Sequence, residues 1–160
     1  MPTQHDPIRN HVADLLAWKN AHVTFDEAFE SIPPDLYGVQ PDDLPYSLWQ
    51  LLEHIRLAQH DVLEFCRNTD YVTPDWPDDY WPDGTAPPSP RDWAEALVSY
   101  RTDREALIQI AKNADIDLAS PIPHGDGQTY LRELLLVADH TAYHVGEVIV
   151  VRRLLGIWPS

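Results

Sequence analysis

Hydrophobic positions recur along the chain at the spacing of amphipathic helices, and the pattern divides into four stretches. In the first, Asp6-Pro7 reads as an N-cap followed by proline in the first turn. Ile8, Val12, Leu15, Trp18, Phe25 and Phe29 then predict one helix running to about Ser31, where Pro33 and Pro34 stop it. In the second, Ser47-Leu48-Trp49-Gln50 has the form of a capping box and opens a helix to about Asn68, with Leu51, Ala58, Val62 and Phe65 on its stripe. In the third, Ser89-Pro90-Arg91-Asp92 starts a helix with Trp93, Leu97, Tyr100, Leu107 and Ala111, ending near Lys112-Asn113. The fourth begins near Gln128 or Thr129 and runs to Leu155 or Gly156, where glycine suits a helix end. The expected fold is all-α, a four-helix bundle forming one domain over residues 1–160. Helices joined in series suggest antiparallel packing, although the longer links permit neighbours that are not adjacent in sequence.

The connections differ in character. Residues 32–46 are rich in Pro and Asp. Residues 69–90 carry six prolines interleaved with Trp76, Tyr80 and Trp81. That segment cannot be regular structure, yet it is too aromatic for a disordered linker, so an ordered loop packed over one end of the bundle is expected. Residues 116–127 are broken by Pro121, Pro123, Gly125 and Gly127, and His124 in this loop is expected to be solvated.

The fourth stretch is unusual. With His140 at the centre of one face, Leu136, Val137, His144, Glu147, Val151 and Leu154 share it. Leu131, Ala138, Ala142, Val145 and Ile149 lie opposite. A helix apolar on nearly all sides is expected to be buried all round, which points to a homodimer through this helix. No run of about 18 apolar residues is read as a membrane span.

Composition narrows the function classes. Net charge is −15, from 11 basic and 26 acidic residues, which disfavours nucleic-acid backbones and anionic membranes. The start Met1–Pro7 lacks a signal-peptide pattern and Cys66 is alone, so a cytoplasmic protein without disulfides is expected. Cys66 reads as a packed thiol rather than a nucleophile. Arg152 and Arg153 read as surface charges complementing the helix C-terminus.

The candidate chemistry is metal binding. On a helix, His140 and His144 project one turn apart, with Cβ atoms about 6 Å apart, close enough for two imidazoles to hold one ion. His54 sits amid core positions of the second helix, where an unpartnered imidazole would be costly. Three imidazoles suit a divalent transition metal with an open coordination position. The pair alone is a weak signal, since the chain has 8 histidines and Thr141 stands where a zincin-type protease helix carries glutamate. His11 and His22 fall on the apolar stripe of the first helix, at the edge of the core. Asp26 follows His22 by four. His60 points away from the others.

Three stretches carry a resemblance: Ser47-Leu48-Trp49-Gln50-Leu51-Leu52-Glu53-His54-Ile55, then His124-Gly125-Asp126-Gly127 leading into Leu131–Leu135, and Asp139-His140-Thr141-Ala142-Tyr143-His144-Val145-Gly146-Glu147 with the following Arg152–Pro159. Together with the Trp76–Pro82 loop they resemble the DinB/YfiT-like superfamily of small four-helix-bundle metalloproteins, over essentially the whole chain. The resemblance implies a divalent metal, often nickel or zinc, held by His54, His140 and His144. It departs at Glu147, where relatives often carry glutamine. It also implies a small-molecule substrate and, in some members, S-transfer or isomerisation using a low-molecular-weight thiol such as bacillithiol or mycothiol. Glu147 and Asp61 are the candidate general bases, or side chains that orient a ligand histidine. Metal-dependent hydrolysis and a non-catalytic, metal-stapled stress protein are the alternatives.

Overall fold

The computed structural model describes residues 6–19, 21–42 and 44–159; the polar start Met1–His5 lies outside them. The fold is all-α, with no strand among the described residues beyond an isolated bridge between Pro121 and Thr129. Among the described residues five α-helices form: α1 (Pro7–Leu16), α2 (Phe25–Phe29), α3 (Leu48–Arg67), α4 (Pro90–Lys112) and α5 (Tyr130–Leu154).

The first predicted helix is two. The chain leaves α1 at Trp18, which takes φ 62. The backbone closes there as a glycine-type helix end would, with Trp18 N–H donating to Leu15 O at 3.2 Å and Lys19 N–H to Asp14 O at 3.0 Å. A left-handed non-glycine residue costs roughly 1–2 kcal/mol. Burial of the indole, whose Nε1–H donates to the Tyr100 hydroxyl at 3.3 Å, outweighs that cost. The restart has its own signal. Thr24 and Glu27 form a full capping box, so Thr24-Phe25-Asp26-Glu27 was legible as a helix start.

The other helices begin and end near their predicted limits. The Ser47–Gln50 capping box is present at α3. Ser89 does not cap α4 with its side chain; its hydroxyl lies 2.5 Å from Asp92 Oδ2 instead. Gly156, at φ 71, closes α5, with Ile157 N–H returning to Arg152 O at 2.9 Å.

The packing is not a simple antiparallel series. Trp49 lies near Trp93, Gln59 bonds to Tyr100 O and His60 meets Asp103, so α3 and α4 run in the same direction. Tyr46 meets Glu147 near the start of α3, so α5 runs against them. α3 is flanked by α4 and α5, and α1 closes the ring between the same two helices. Parallel α3 and α4 force their connection to travel the length of the bundle. By Thr85 the loop is back at the start of α3, where the Ser47 hydroxyl donates to the Thr85 carbonyl.

Two arginines fasten the ends. Arg152 is buried rather than a surface charge: it donates to the Glu27 and Ala28 carbonyls that close α2 and to Ile157 O. Burial lowers its pKa. Arg153 is exposed. Arg9 ties α1 to the end of α4 through Ala111, Asn113 and Ile116 carbonyls.

Helix α5 is not buried all round. Leu134, Val137, Ala138, Thr141, Val145, Val148 and Arg152 form one continuous buried face, while Leu135, Leu136, Tyr143, Val150 and Leu154 are exposed. By length and composition an 18-residue window of it is apolar enough to cross a membrane, a test that the core helix of a bundle also passes. Nearly half of that window, 44%, is buried inside the domain, as befits the helix on which the bundle is assembled.

Trp18→Gly relieves the left-handed backbone but removes the indole. It is expected to destabilise the fold by about 2–4 kcal/mol, lowering the melting temperature by roughly 5–15 °C. A calorimetric melt checks this; a rise in melting temperature would show that backbone strain outweighs indole burial.

Candidate metal centre

Helix periodicity puts His140 and His144 on one face of α5, and α3 runs antiparallel beside it, so His54 meets them across the helix interface. The three rings lie with centroids 4.5 to 4.9 Å apart. One nitrogen from each ring lies within 4.8 Å of the other two, so the group could hold a metal ion.

The hydrogen bonds decide which nitrogen faces inward. His54 Nδ1 lies 2.9 Å from the Tyr80 carbonyl, which can only accept, so Nδ1 carries the proton and Nε2 a lone pair. His144 Nδ1 lies 2.6 Å from Glu147 Oε2, which presents its Nε2 in the same way. His140 Nε2 sits 3.1 Å from His54 Nε2. Two lone pairs facing each other at that distance repel unless a proton or a cation lies between them. Metal–nitrogen bonds of about 2.0–2.1 Å, at angles from square to tetrahedral, set neighbouring donors about 2.9–3.4 Å apart. The pair therefore already has the edge length of a coordination polyhedron.

The electrostatics agree with ligation. Burial, helped by the His144 and His54 rings, pushes His140 down to about 4. Burial also lowers His54, against the opposing effect of its bond to the Tyr80 carbonyl. Both rings are neutral at pH 7, the form that binds metal.

The surroundings come from the long loop and from the start of α3. Trp81 stacks on His54 with centroids 3.9 Å apart and planes 5° from parallel. The neighbouring Tyr80 supplies the carbonyl that orients His54. Tyr46 donates its hydroxyl to Glu147 Oε1 at 3.0 Å, so a chain runs Tyr46–Glu147–His144. Burial and this bond raise Tyr46 to about 12, keeping it a donor. Both Glu147 oxygens are thus engaged, one by the ring it orients. Carboxylate–imidazole pairs of this kind raise ligand basicity.

The structure brings the remaining candidates elsewhere. Asp61 bonds to none of the three histidines among the described residues; it lies beside the Tyr71 and Tyr80 hydroxyls. Burial and Asp61 together push Tyr71 up to about 12 and also raise Tyr80. Cys66 is buried away from the cluster, and burial raises its thiol to about 12, which keeps it protonated. His124 is not solvated: it bonds through Nε2 to the Phe65 carbonyl at 2.7 Å and fastens its loop to the end of α3. His11 and His22 are exposed rather than partly buried, because the break at Trp18 turns that part of the chain outward. Asp26 pairs with Arg101 and Arg104 rather than His22, and His60 pairs with Asp103. Sequence reasoning missed Tyr46 and the Tyr80 carbonyl. No spacing rule signals either, since both reach the site from outside its two helices.

A model of the DinB superfamily matches residues 17–148, which include all three histidines. The chain belongs to the DinB superfamily. No curated protein matches it. The match ends one residue beyond Glu147.

Glu147→Gln keeps an acceptor for His144 but removes its charge, and is expected to weaken zinc binding about tenfold. Glu147→Ala removes both and is expected to cost up to about 100-fold. Chelator-competition titration measures both; unchanged affinity in the alanine variant would exclude an orienting role.

Proposed function

We propose that this DinB-superfamily protein is a metal-dependent enzyme acting on a small molecule, with His54, His140 and His144 holding one divalent ion, nickel or zinc, through their Nε2 atoms. The observation that carries this is the hydrogen bonding of the cluster. Two of the three rings have Nδ1 committed to fixed acceptors, and the freed Nε2 atoms converge on the third.

A divalent ion bound there supplies a Lewis acid that makes a thiol or a water nucleophilic at neutral pH. The chain's own groups do the rest. Tyr80 O and Glu147 hold two imidazoles in the tautomer that presents Nε2. Trp81 covers His54 and excludes water from that side. Glu147, with Tyr46 behind it, delocalises charge from His144 and is the nearest group that could take up a proton. The resemblance to thiol-using relatives favours conjugation of a low-molecular-weight thiol to an electrophile: the sulfur bonds to the electrophilic carbon, that carbon's bond to its leaving group breaks and the group departs as an anion, and the thiol proton passes to solvent or to Glu147. Hydrolysis of a small molecule is the second reading, supported by the same donor set, which suits activation of water equally well.

A second copy of the chain is proposed to pack along α5. Its exposed Leu136, Tyr143, Val150 and Leu154 follow one another at spacings of seven, seven and four residues, the seam expected of paired helices. Val150→Glu is expected to convert the dimer to monomer in light scattering after gel filtration. A wild-type monomer would end the proposal.

Protein purified without an affinity tag is expected to contain close to one nickel or zinc per chain by elemental analysis. His144→Ala is expected to lose the metal while keeping its helical circular dichroism; full occupancy in that variant would refute the ligand assignment. Turnover of an electrophile panel that needs added thiol and disappears with chelation supports transferase. Turnover without thiol supports hydrolase. A metal whose removal lowers only the melting temperature would leave a structural role.

A further inference from the structure

Beside the histidine cluster, a cavity of about 240 Å³ opens between α3, α5 and the long loop, with His140 in its wall. It is larger than the engineered apolar cavities of about 150 Å³ that hold benzene. Most of its wall is apolar, from Ala58, Val62, Leu136, Val137 and Trp76. No lysine or arginine lines it. Its polar groups include Gln59 and Asp61.

Both of these polar groups are left with a free acceptor. Gln59 is buried and donates through Nε2 to Tyr100 O at 2.8 Å, which settles the orientation of its amide and leaves Oε1 over; that oxygen has no partner. Asp61 Oδ1 is likewise buried without a hydrogen-bond partner. A carboxylate oxygen and an amide oxygen, both desolvated and both acceptors, are costly unless a donor reaches them. Both residues line the cavity. The cavity therefore has an apolar body, a carboxylate oxygen without a partner at Asp61 beside the hydroxyl-bearing Tyr80 and Thr141, no cationic side chain, and a wall that reaches the candidate metal ligands.

We infer that this cavity binds the apolar body of a small organic cation, about the size of a single ring or a short alkyl chain, with a primary ammonium group donating to Asp61 Oδ1. Calling that molecule the substrate rests on the histidine cluster being the reaction centre. In that case the end remote from the ammonium lies toward His140, and molecules carrying carboxylate or phosphate at the Asp61 end are rejected. This places Asp61 as a specificity-determining residue rather than a base.

The test is calorimetric titration with benzylammonium, benzyl alcohol and benzoate, on chelator-treated and on metal-loaded protein. Benzylammonium is expected to bind both forms, about tenfold or more tighter than benzyl alcohol, with no binding of benzoate. Asp61→Asn is expected to weaken benzylammonium about tenfold or more while leaving benzyl alcohol nearly unchanged. Ala58→Phe, which fills the cavity from a partly exposed position on α3, is expected to remove binding of both. The inference is overturned if no probe binds wild-type protein, if benzoate matches benzylammonium, or if Asp61→Asn costs less than this. It is overturned too if Ala58→Phe, checked for helicity, still binds. Binding to metal-free protein isolates the cavity from the metal. Benzylammonium binding in a protein found to carry no metal would keep the cavity and remove the reaction centre. Metal without benzylammonium binding would do the reverse.

Discussion

Three imidazoles, two buried and one half-buried, cannot share one space unless something accounts for their protons and lone pairs, and the structure around them follows from that constraint. Each ring has one nitrogen to donate and one to accept. The protein assigns the donors outward, His54 to the Tyr80 carbonyl and His144 to Glu147. What remains inward is a lone pair on Nε2 of each of these two rings, with His140 Nε2 3.1 Å from His54 Nε2 and His140 held neutral by burial. Neutral imidazoles converging in this way form a group that could hold a metal ion.

The topology serves this arrangement. Parallel α3 and α4 need a crossover, and the crossover is the aromatic loop that delivers Tyr80 O and Trp81 to His54. A simple antiparallel bundle with short turns would leave that side of the imidazole to water. The same loop contributes Trp76 to the adjacent cavity, so one connection orients a candidate ligand and also shapes the space next to it. The fourth side is closed from the start of α3, where Tyr46 reaches across to Glu147.

Much of this was legible in the residues. The i, i+4 histidines, the capping box at Ser47, the central place of His54 and the glycine at the end of α5 are local features, and each follows from helix geometry. The misreadings were of two kinds. The split between α1 and α2 was written in the Thr24–Glu27 capping box, but an apolar period running on to Phe29 concealed it. His124, Arg152 and Asp26 were misplaced because their partners lie far away in sequence: Phe65, Ala28 and Arg101.

The sequence alone determined what depends on neighbours within a few residues: helix existence, most helix ends and the pairing of His140 with His144. It also determined the acidic surface and the lone buried thiol. Only the tertiary structure decided the parallel run of α3 and α4, the tautomer of His54, the reach of Tyr46 to Glu147 and the separation of Asp61 from the cluster. Those depend on contacts between groups 26 to 101 residues apart, such as His54 with Tyr80 and Tyr46 with Glu147. Periodicity states which face of a helix is turned inward, but not which distant group will be waiting there.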